Sequence, residues 1–250
     1  MADLILPDPR FEMPELFVPG VKPYGRVVET DDRVIARYMM QPSHNVHSDL
    51  IGLHGDFSIN GTKDLEIGGT EQAFFVFDGT VNNYLSETIN RFNPAEGTFV
   101  HRIKRTFADT IGTEQTSAFL GYRNGGNYIK FKFDDNDDLW HYYLIRSFTV
   151  NDITFAASII PQNQWATVAL RWGESSDEAA VFVDGKKTVS TTGIGTYSGT
   201  PTTWRVGGGD IVESRGWTGN ISAHVYYNQC LSDAEMSVVS RNIYSSLIPE

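Results

Sequence analysis

Residues 217–235, WTGNISAHVYYNQCLSDAE, pass from a strand pattern directly into a helix start. Apolar side chains at every second position predict a strand with one apolar face, formed by Ile221, Ala223, Val225 and Tyr227. Ser232 and Glu235 then have the spacing of a capping box, in which the side chain of each residue accepts a hydrogen bond from the backbone amide of the other. We therefore expect a strand that is followed at once by a capped helix.

The helix predicted after Ser232 is amphipathic. Its apolar side chains recur at roughly helical spacing and predict one stripe that packs on the rest of the protein, formed by Met236, Val239, Ile243 and Leu247. Pro249 is expected to end the helix, because proline has no amide hydrogen and cannot continue the helical ladder.

This stretch resembles the end of laminin-G-like (concanavalin A-like) jelly-roll domains, in which the closing strand is followed by one short helix. Upstream, WATVALRW at residues 165–172 and AVFVDGK at residues 180–186 are similar to a hairpin of the same family. The resemblance implies an all-β sandwich of two antiparallel sheets with one C-terminal helix. It extends more loosely over residues 78–146, and it indicates a fold rather than a function, because one fold supports many functions.

The composition agrees with one large β domain, since the 250 residues include 23 Gly, 11 Tyr and 15 Phe. The formal charge of −11 opposes binding to nucleic acid, which relies on clustered Lys and Arg. No stretch approaches the roughly 20 apolar residues of a membrane helix, and the N-terminus lacks the pattern of a signal peptide. Cys230 is the only cysteine, which excludes an internal disulfide. We expect neither a nucleic-acid partner nor a membrane partner.

Several strands are predicted in the middle of the chain. Residues 74–77 form an apolar run that ends at a tight turn, and residues 98–105 alternate imperfectly between polar and apolar side chains. Residues 128–133 and 139–146 flank the acidic run at 134–138 and predict a hairpin with an acidic tip.

The first part of the chain differs from the rest, because it holds five of the ten prolines: Pro7, Pro9, Pro14, Pro19 and Pro23. Proline at this density keeps the chain extended and removes amide donors. We predict an extended arm over residues 1–30 and the jelly-roll domain over residues 31–250. The arm also carries apolar side chains that need a surface to cover them and that we predict to bind a partner: Phe11, Leu16, Phe17, Val18 and Tyr24.

A second resemblance concerns the two ends of the chain. MPELFVPGVKP at residues 13–23, together with NIY at 242–244 and LIP at 247–249, is similar to the start and end of laminin-G-like proteins of tailed bacteriophages. The resemblance implies a non-enzymatic structural component of a virion, as a capsid decoration or tail-associated protein. Such a protein is made in the host cytoplasm, ends up in the virion and holds other virion proteins through its arm. Whether the protein also forms a homo-oligomer is left open.

The alternative function is that of a glycan-binding adhesin that recognises a host or environmental polysaccharide. Sugars bind to aromatic faces flanked by hydrogen-bonding side chains. The candidate ligand residues form one loop and consist of Tyr122, Arg123, Asn124, Asn127 and Tyr128. Trp204 is a further candidate for an aromatic platform, whereas Trp165, Trp172 and Trp217 fall where the family pattern places core aromatics.

Metal and catalytic sites are not expected. The alternating oxygens of residues 134–138 favour a solvated turn, with calcium as the alternative, and an EF-hand is excluded because Leu139 stands where the loop needs glycine. His44 and His47 lie in a polar loop without the helix that a zinc motif of this spacing uses. The acidic runs at 29–32 and 174–178 lack the carboxylate spacing that the glycosidases of this broad fold use. We therefore expect no enzymatic activity and no cofactor.

Overall fold

A computed structural model of the chain describes residues 34–39, 58–60, 64–67, 73–80, 84–88, 93–122, 127–146, 149–195, 203–208, 216–241 and 243. In chain order the strands are β1 (Val34–Met39), β2 (Ser58–Asn60), β3 (Asp64–Ile67), β4 (Ala73–Asp78), β5 (Tyr84–Thr88), β6 (Glu96–Arg105), β7 (Gln115–Tyr122), β8 (Asn127–Asp134), β9 (Leu139–Arg146), β10 (Thr149–Ala156), β11 (Trp165–Gly173), β12 (Glu178–Val183), β13 (Lys186–Thr192), β14 (Thr203–Val206) and β15 (Thr218–Tyr227). A short 3-10 helix (Ala157–Ile159) follows β10, and the α-helix α1 (Asp233–Arg241) follows β15.

The strands form two antiparallel sheets. The first sheet has the order β13-β12-β11-β6-β15-β4-β3, and β1 pairs with the second half of β15. The second sheet has the order β10-β9-β8-β7-β14-β5-β2. Inward-facing side chains of both sheets share one hydrophobic core. This architecture confirms the predicted jelly-roll sandwich with one helix.

Aromatic side chains dominate the core between the sheets. Trp140, Trp172, Trp204 and Trp217 are all fully buried there. The core position predicted for Trp172 and Trp217 is thus confirmed, whereas the same expectation for Trp165 is wrong. Trp165 is half-buried against Phe74, because the alternation along β11 turns it away from the core.

A second, smaller core lies on the other side of the first sheet, where α1 packs. It consists of Val100, Ala169, Ala180, Phe182, Ala223, Val225, Tyr227, Leu231, Met236, Val239 and Ile243. The prediction that Ile221 shares a face with the other apolar residues of its strand is wrong. A bulge between Ile221 and Ala223 shifts the register, so that Ile221 points into the main core instead.

The predicted cap of α1 is confirmed. The Glu235 amide donates to Ser232 Oγ at 3.3 Å, and the Ser232 amide donates to Glu235 Oε2 at 2.8 Å. The helix is assigned up to Arg241, and Ile243 beyond it is buried. Leu247 and Pro249 lie outside the described residues.

The predicted hairpins are also confirmed. β8 and β9 are joined at the acidic tip, and β11 and β12 are joined at residues 174–177. Asp184 and Gly185, with φ of 47° and 83°, make the tight turn between β12 and β13.

Other predictions fall outside the described residues. The arm, residues 1–30, is among them, and so are its predicted partner-binding residues Phe11, Leu16, Phe17, Val18 and Tyr24. No helix of the described residues is long and apolar enough to cross a membrane.

Candidate functional site

The outward side of the second sheet carries polar and aromatic side chains, and no helix of the described residues packs on it. Because side chains alternate along a strand, those that do not enter the core point to this side. We call it the polar sheet face, and its described polar and aromatic side chains are Tyr84, Ser86, Thr116, Tyr128, Lys130, Lys132, Asp134, His141, Tyr143, Asp152, Thr154, Thr203 and Arg205. Two apolar side chains, Ile145 and Val150, lie on the same side.

Strand register aligns part of this face in one row that crosses the strands. Starting from β10, the row runs through Asp152, Tyr143 and Lys130, crosses the backbone of β7 at position 119, and continues through Arg205 and Ser86. Neighbouring strands are about 4.8 Å apart, so the row spans roughly 24 Å. The face is therefore long enough to contact several units of an extended ligand.

Charged side chains form a buried floor under part of this face. Glu114, from the loop before β7, accepts from Lys130 Nζ at 2.5 Å and from Lys132 Nζ at 2.6 Å. Lys132 also pairs with Asp134. Glu114 and both lysines are less than 7% exposed. The floor is thus a compensated network of two cations and two anions.

The network changes the acidity of its members. Burial alone would raise the pKa of Glu114, but Lys130 and Lys132 outweigh it and lower that pKa. Burial likewise opposes ionisation of Asp134, yet its hydrogen bonds with Lys132 and Asn136 lower its pKa. Glu114, Asp134 and Lys132 are consequently charged at neutral pH.

Tyr143 stands on this floor and is only half-buried. Lys132 Nζ lies 4.9 Å from the centroid of its ring. The ring of His141 is stacked beside it, with 5.3 Å between centroids and 11° between the planes. Contacts from two directions thus fix the ring before any ligand arrives.

His141 is itself held by two carboxylates. Its Nδ1 lies 2.9 Å from Asp152 Oδ1, and its Nε2 lies 3.1 Å from Asp137 Oδ1. Burial lowers the pKa of His141, but Asp152 and Asp137 outweigh burial and raise it. The imidazole therefore connects the hairpin tip with the edge strand β10 and supports Tyr143 between them.

A second aromatic and cationic pair lies further along the face. The Arg205 guanidinium is centred 4.4 Å from the ring centroid of Tyr84. Both side chains are half-buried, and they come from the neighbouring strands β14 and β5. This pair offers a planar cation and a ring edge at the opposite end of the row from Tyr143.

The ligand residues predicted from the sequence meet this face at one end. Tyr122 and Asn127 are paired where β7 ends and β8 begins, and Tyr128 is a half-buried side chain of the polar sheet face. Arg123 and Asn124 lie outside the described residues. The proposed platform role of Trp204 is wrong, because that ring is fully buried in the core between the sheets.

Sequence reasoning missed Tyr143, Arg205 and Tyr84. The alternation of YIKFKFD at 128–134 and of WHYYLI at 140–145 was an available signal for a polar and aromatic face. Nothing local in the sequence, however, showed that β14 and β5 continue the same sheet.

The acidic tip is more structured than the solvated turn that we expected. Asp134 is buried, pairs with Lys132 and accepts from the Asn136 amide at 3.0 Å. Asp137 accepts from the Leu139 amide at 3.1 Å. In the part of the chain that the structure describes, no group of three or more His, Cys, Asp or Glu side chains is placed to hold a metal ion. Calcium binding stays an untested alternative.

The fold and its polar sheet face define a concanavalin A-like β-sandwich. The sequence profile of the concanavalin A-like lectin/glucanases superfamily, a laminin-G-like family, matches residues 78–237. The chain belongs to this family. No curated protein sequence matches the chain.

Several solved structures share the fold. Domain 4 of AbnA, a GH43 extracellular arabinanase from Geobacillus stearothermophilus in complex with arabinotriose, has a TM-score of 0.66 at 16% identity, over 83% of this chain and 98% of that one. The ligand binding domain of botulinum neurotoxin serotype D in complex with N-acetylneuraminic acid has a TM-score of 0.66 at 13% identity, over 88% of this chain and 52% of that one. The binding domain of Paraclostridial Mosquitocidal Protein 1 has a TM-score of 0.67 at 12% identity, over 88% and 53%.

At these identities the likeness shows a common fold. This chain spans nearly all of the arabinanase domain and about half the length of the toxin binding domains.

Proposed function

We propose that this domain binds a glycan without cleaving it, and that the polar sheet face is the binding site. The observation that carries the proposal is Tyr143, a half-buried ring that Lys132 and His141 hold in place within a row of polar side chains. Two proteins of the same fold support it, since their structures contain arabinotriose and N-acetylneuraminic acid.

The chemistry of the face suits a sugar. An aromatic ring stacks on the apolar C–H side of a sugar, while charged and hydroxyl groups bond to its ring substituents. Tyr143 supplies the ring, and Arg205, Asp152 and Thr203 supply polar groups along the face. Because the ring is already ordered, binding a ligand costs less side-chain entropy than ordering a free tyrosine.

The carboxylates of the face support binding rather than hydrolysis. A glycosidase needs two carboxyl groups that flank the bond to be cleaved and are free to exchange protons or attack. Glu114 and Asp134 are buried and paired with lysines, and Asp137 and Asp152 both engage His141. Each of these carboxylates thus has a structural role in the described part of the chain.

Binding of the purified protein to an array that includes arabinan-derived and sialylated oligosaccharides tests the proposal. For a glycan that binds, Tyr143→Ala is expected to lower the affinity about tenfold, the order of one lost aromatic contact. Trp165→Ala is the matched control, because Trp165 is a half-buried ring on the outer side of the first sheet. Failure to bind any glycan, or equal affinities of Tyr143→Ala and wild type, would overturn the proposal.

The virion role predicted from the two chain ends has no support from these comparisons. The N-terminal motif lies outside the described residues, and only Ile243 of the C-terminal motif lies inside them. The role stays a prediction. A virion protein is expected to co-purify with phage particles in a fixed stoichiometry, and this measurement distinguishes the virion role from glycan binding.

A further inference from the structure

Two histidines face each other inside the sandwich. His101 on β6 is the direct register partner of His224 on β15, and both are fully buried in the first sheet's inward side. Their ring centroids are 5.9 Å apart, and the planes are nearly perpendicular. The pair lies away from the polar sheet face, on the other side of the second sheet.

The pair has few hydrogen-bond partners. His101 Nε2 lies 3.0 Å from the Tyr142 hydroxyl. The other ring nitrogen of His101 and both ring nitrogens of His224 have no hydrogen-bond partner among the described residues. Polar atoms buried without partners are rare in folded proteins, so this arrangement calls for a physical explanation.

Within the part of the chain that the structure describes, no carboxylate contacts either ring. Aromatic rings pack against the pair, at 4.8 Å from Phe131 to His101 and at 5.9 Å from Trp204 to His224. Phe99 touches both histidines.

Two tyrosines, Tyr142 and Tyr226, are the titratable neighbours on the inward side, and burial raises the pKa of each. The charged side chain on the inward side of β6 is Arg105, four residues further along, and it is paired with Asp109.

Both imidazoles are therefore neutral in the folded protein. Burial lowers the pKa of His224 to about 3. Burial, and then the neighbouring His224, lowers the pKa of His101. A proton on either ring would place an unpaired charge in an aromatic core, which is costly.

A small cavity adjoins the pair. It has a volume of about 10 Å³ and is lined by Phe99, Ala118, Ile129, Phe131 and Tyr142. Three of these residues, Phe99, Phe131 and Tyr142, contact His101. The surface that lines this void is apolar, so it is a small packing defect beside His101.

We propose that the core histidine pair makes the sandwich sensitive to acid. The domain is stably folded while both rings are neutral, and mild acid favours unfolding because the two histidines bind protons only when they leave the core. In the unfolded chain the two histidines bind protons near pH 6.5, whereas in the folded chain they do not. The unfolded state therefore binds more protons below that pH. The stability that the neutral pair permits is present above about pH 6.5 and is lost as the pH falls. This inference does not depend on glycan binding.

Urea unfolding of the whole chain between pH 7.5 and pH 4.5 tests the proposal. Each histidine that is neutral only in the folded state raises the unfolding equilibrium constant by up to tenfold per pH unit below 6.5, or about 100-fold between pH 6.5 and 4.5. In His224→Phe the rise is expected to be about 100-fold smaller than in wild type. Phenylalanine suits the site because no hydrogen bond of His224 is lost. The carboxylates contribute in the same way to the pH dependence of both proteins, so the difference between wild type and His224→Phe reports His224.

His141→Gln is the control of opposite sign. The pKa of His141 is raised in the folded state, so its contribution is present at low pH and is lost as the pH rises. In His141→Gln the stability is expected to fall more steeply with decreasing pH than in wild type, whereas in His224→Phe it is expected to fall less steeply. An unchanged pH dependence in His224→Phe would overturn the proposal.

A measurement on the wild type covers the case in which His224→Phe fails to fold. Hydrogen–deuterium exchange at histidine C2, followed by mass spectrometry, reports the protonation of each histidine in the folded protein. His224 is expected to show no titration between pH 7.5 and 4.5. A midpoint near pH 6.5 for His224 would contradict the proposal.

Discussion

At the scale of single residues, Glu114 shows how charge is accommodated on the polar sheet face. Its two oxygens contact two different lysines, and all three side chains are buried. Removing charged groups from water is costly, and mutual contacts return that cost only when each charge has a partner. The stability of the network therefore requires all of its charged groups. The position of Tyr143 depends on the same network, because Lys132 contacts its ring.

Glu114→Gln is expected to destabilise the domain by about 3 kcal/mol, because Lys130 and Lys132 would each lose an ion pair with a carboxylate in a buried site. Urea unfolding at pH 7 measures the change. The control is Asp138→Asn, at an exposed position with φ of 56° that asparagine tolerates. The control is expected to stay within about 0.5 kcal/mol of wild type. Equal stabilities of Glu114→Gln and wild type would show that the buried pairs contribute nothing.

At the scale of secondary-structure elements, features that depend on neighbouring residues could be predicted from the sequence. The side of the sheet on which each residue of a strand lies could not always be predicted. The capping box depends on neighbours in the chain, and it was predicted correctly. The bulge before Ala223 places Ile221 on the opposite side of the sheet from Ala223, and no local sequence pattern predicts this bulge. One extra residue in a strand changes the face of every residue beyond it.

The same reasoning explains what was missed at the candidate site. Tyr128 and Tyr143 lie on the consecutive strands β8 and β9, and the hairpin that joins them was predicted. Arg205 and Tyr84 reach the face only because β14 inserts between β7 and β5, far from either in sequence. Pairing between distant strands is set by the assembly of the whole sheet, which a single sequence does not reveal by pattern alone.

Ser232→Ala tests the element that closes the fold. The substitution removes the oxygen that accepts from the Glu235 amide, and a lost cap costs about 1 kcal/mol. Ser237→Ala, in the body of α1, is the matched control and is expected to leave stability unchanged or slightly higher, because alanine favours helix. Thermal unfolding measures both variants. Identical losses in the two variants would show that the cap has no specific role.

At the scale of the whole molecule, the two sheets differ in what covers them. The helix α1 and its apolar stripe close the outer side of the first sheet, whereas the second sheet presents aromatic and charged side chains. A sandwich needs only its inner sides to be apolar, so the outer sides are free to differ. In this chain the outer side of the first sheet is stabilised by apolar packing under α1, and the outer side of the second is stabilised by buried ion pairs and also holds the candidate binding residues.

The last prediction concerns residues 1–24, whose proline content favours an extended arm. If the arm binds a partner and not its own domain, deleting it leaves the stability of the sandwich unchanged. If Phe11, Leu16, Phe17 and Val18 instead pack on the sandwich, their burial contributes roughly 6 to 12 kcal/mol in total before ordering costs, at roughly 1.5 to 3 kcal/mol each. Even a third of that loss would lower the melting temperature by roughly 4 to 16 °C in a domain of this size.

We expect the first outcome, with the circular dichroism and melting temperature of the deletion variant close to those of the full chain. Binding to a partner, measured as incorporation into phage particles that lack the wild-type protein, is expected to be lost. The double variant Leu16→Asp, Phe17→Asp is expected to lose it partly, because charge on the apolar strip opposes burial without shortening the chain. A large fall in melting temperature would instead assign the arm to the domain's own structure, and normal incorporation of the folded deletion variant would remove its role in attachment.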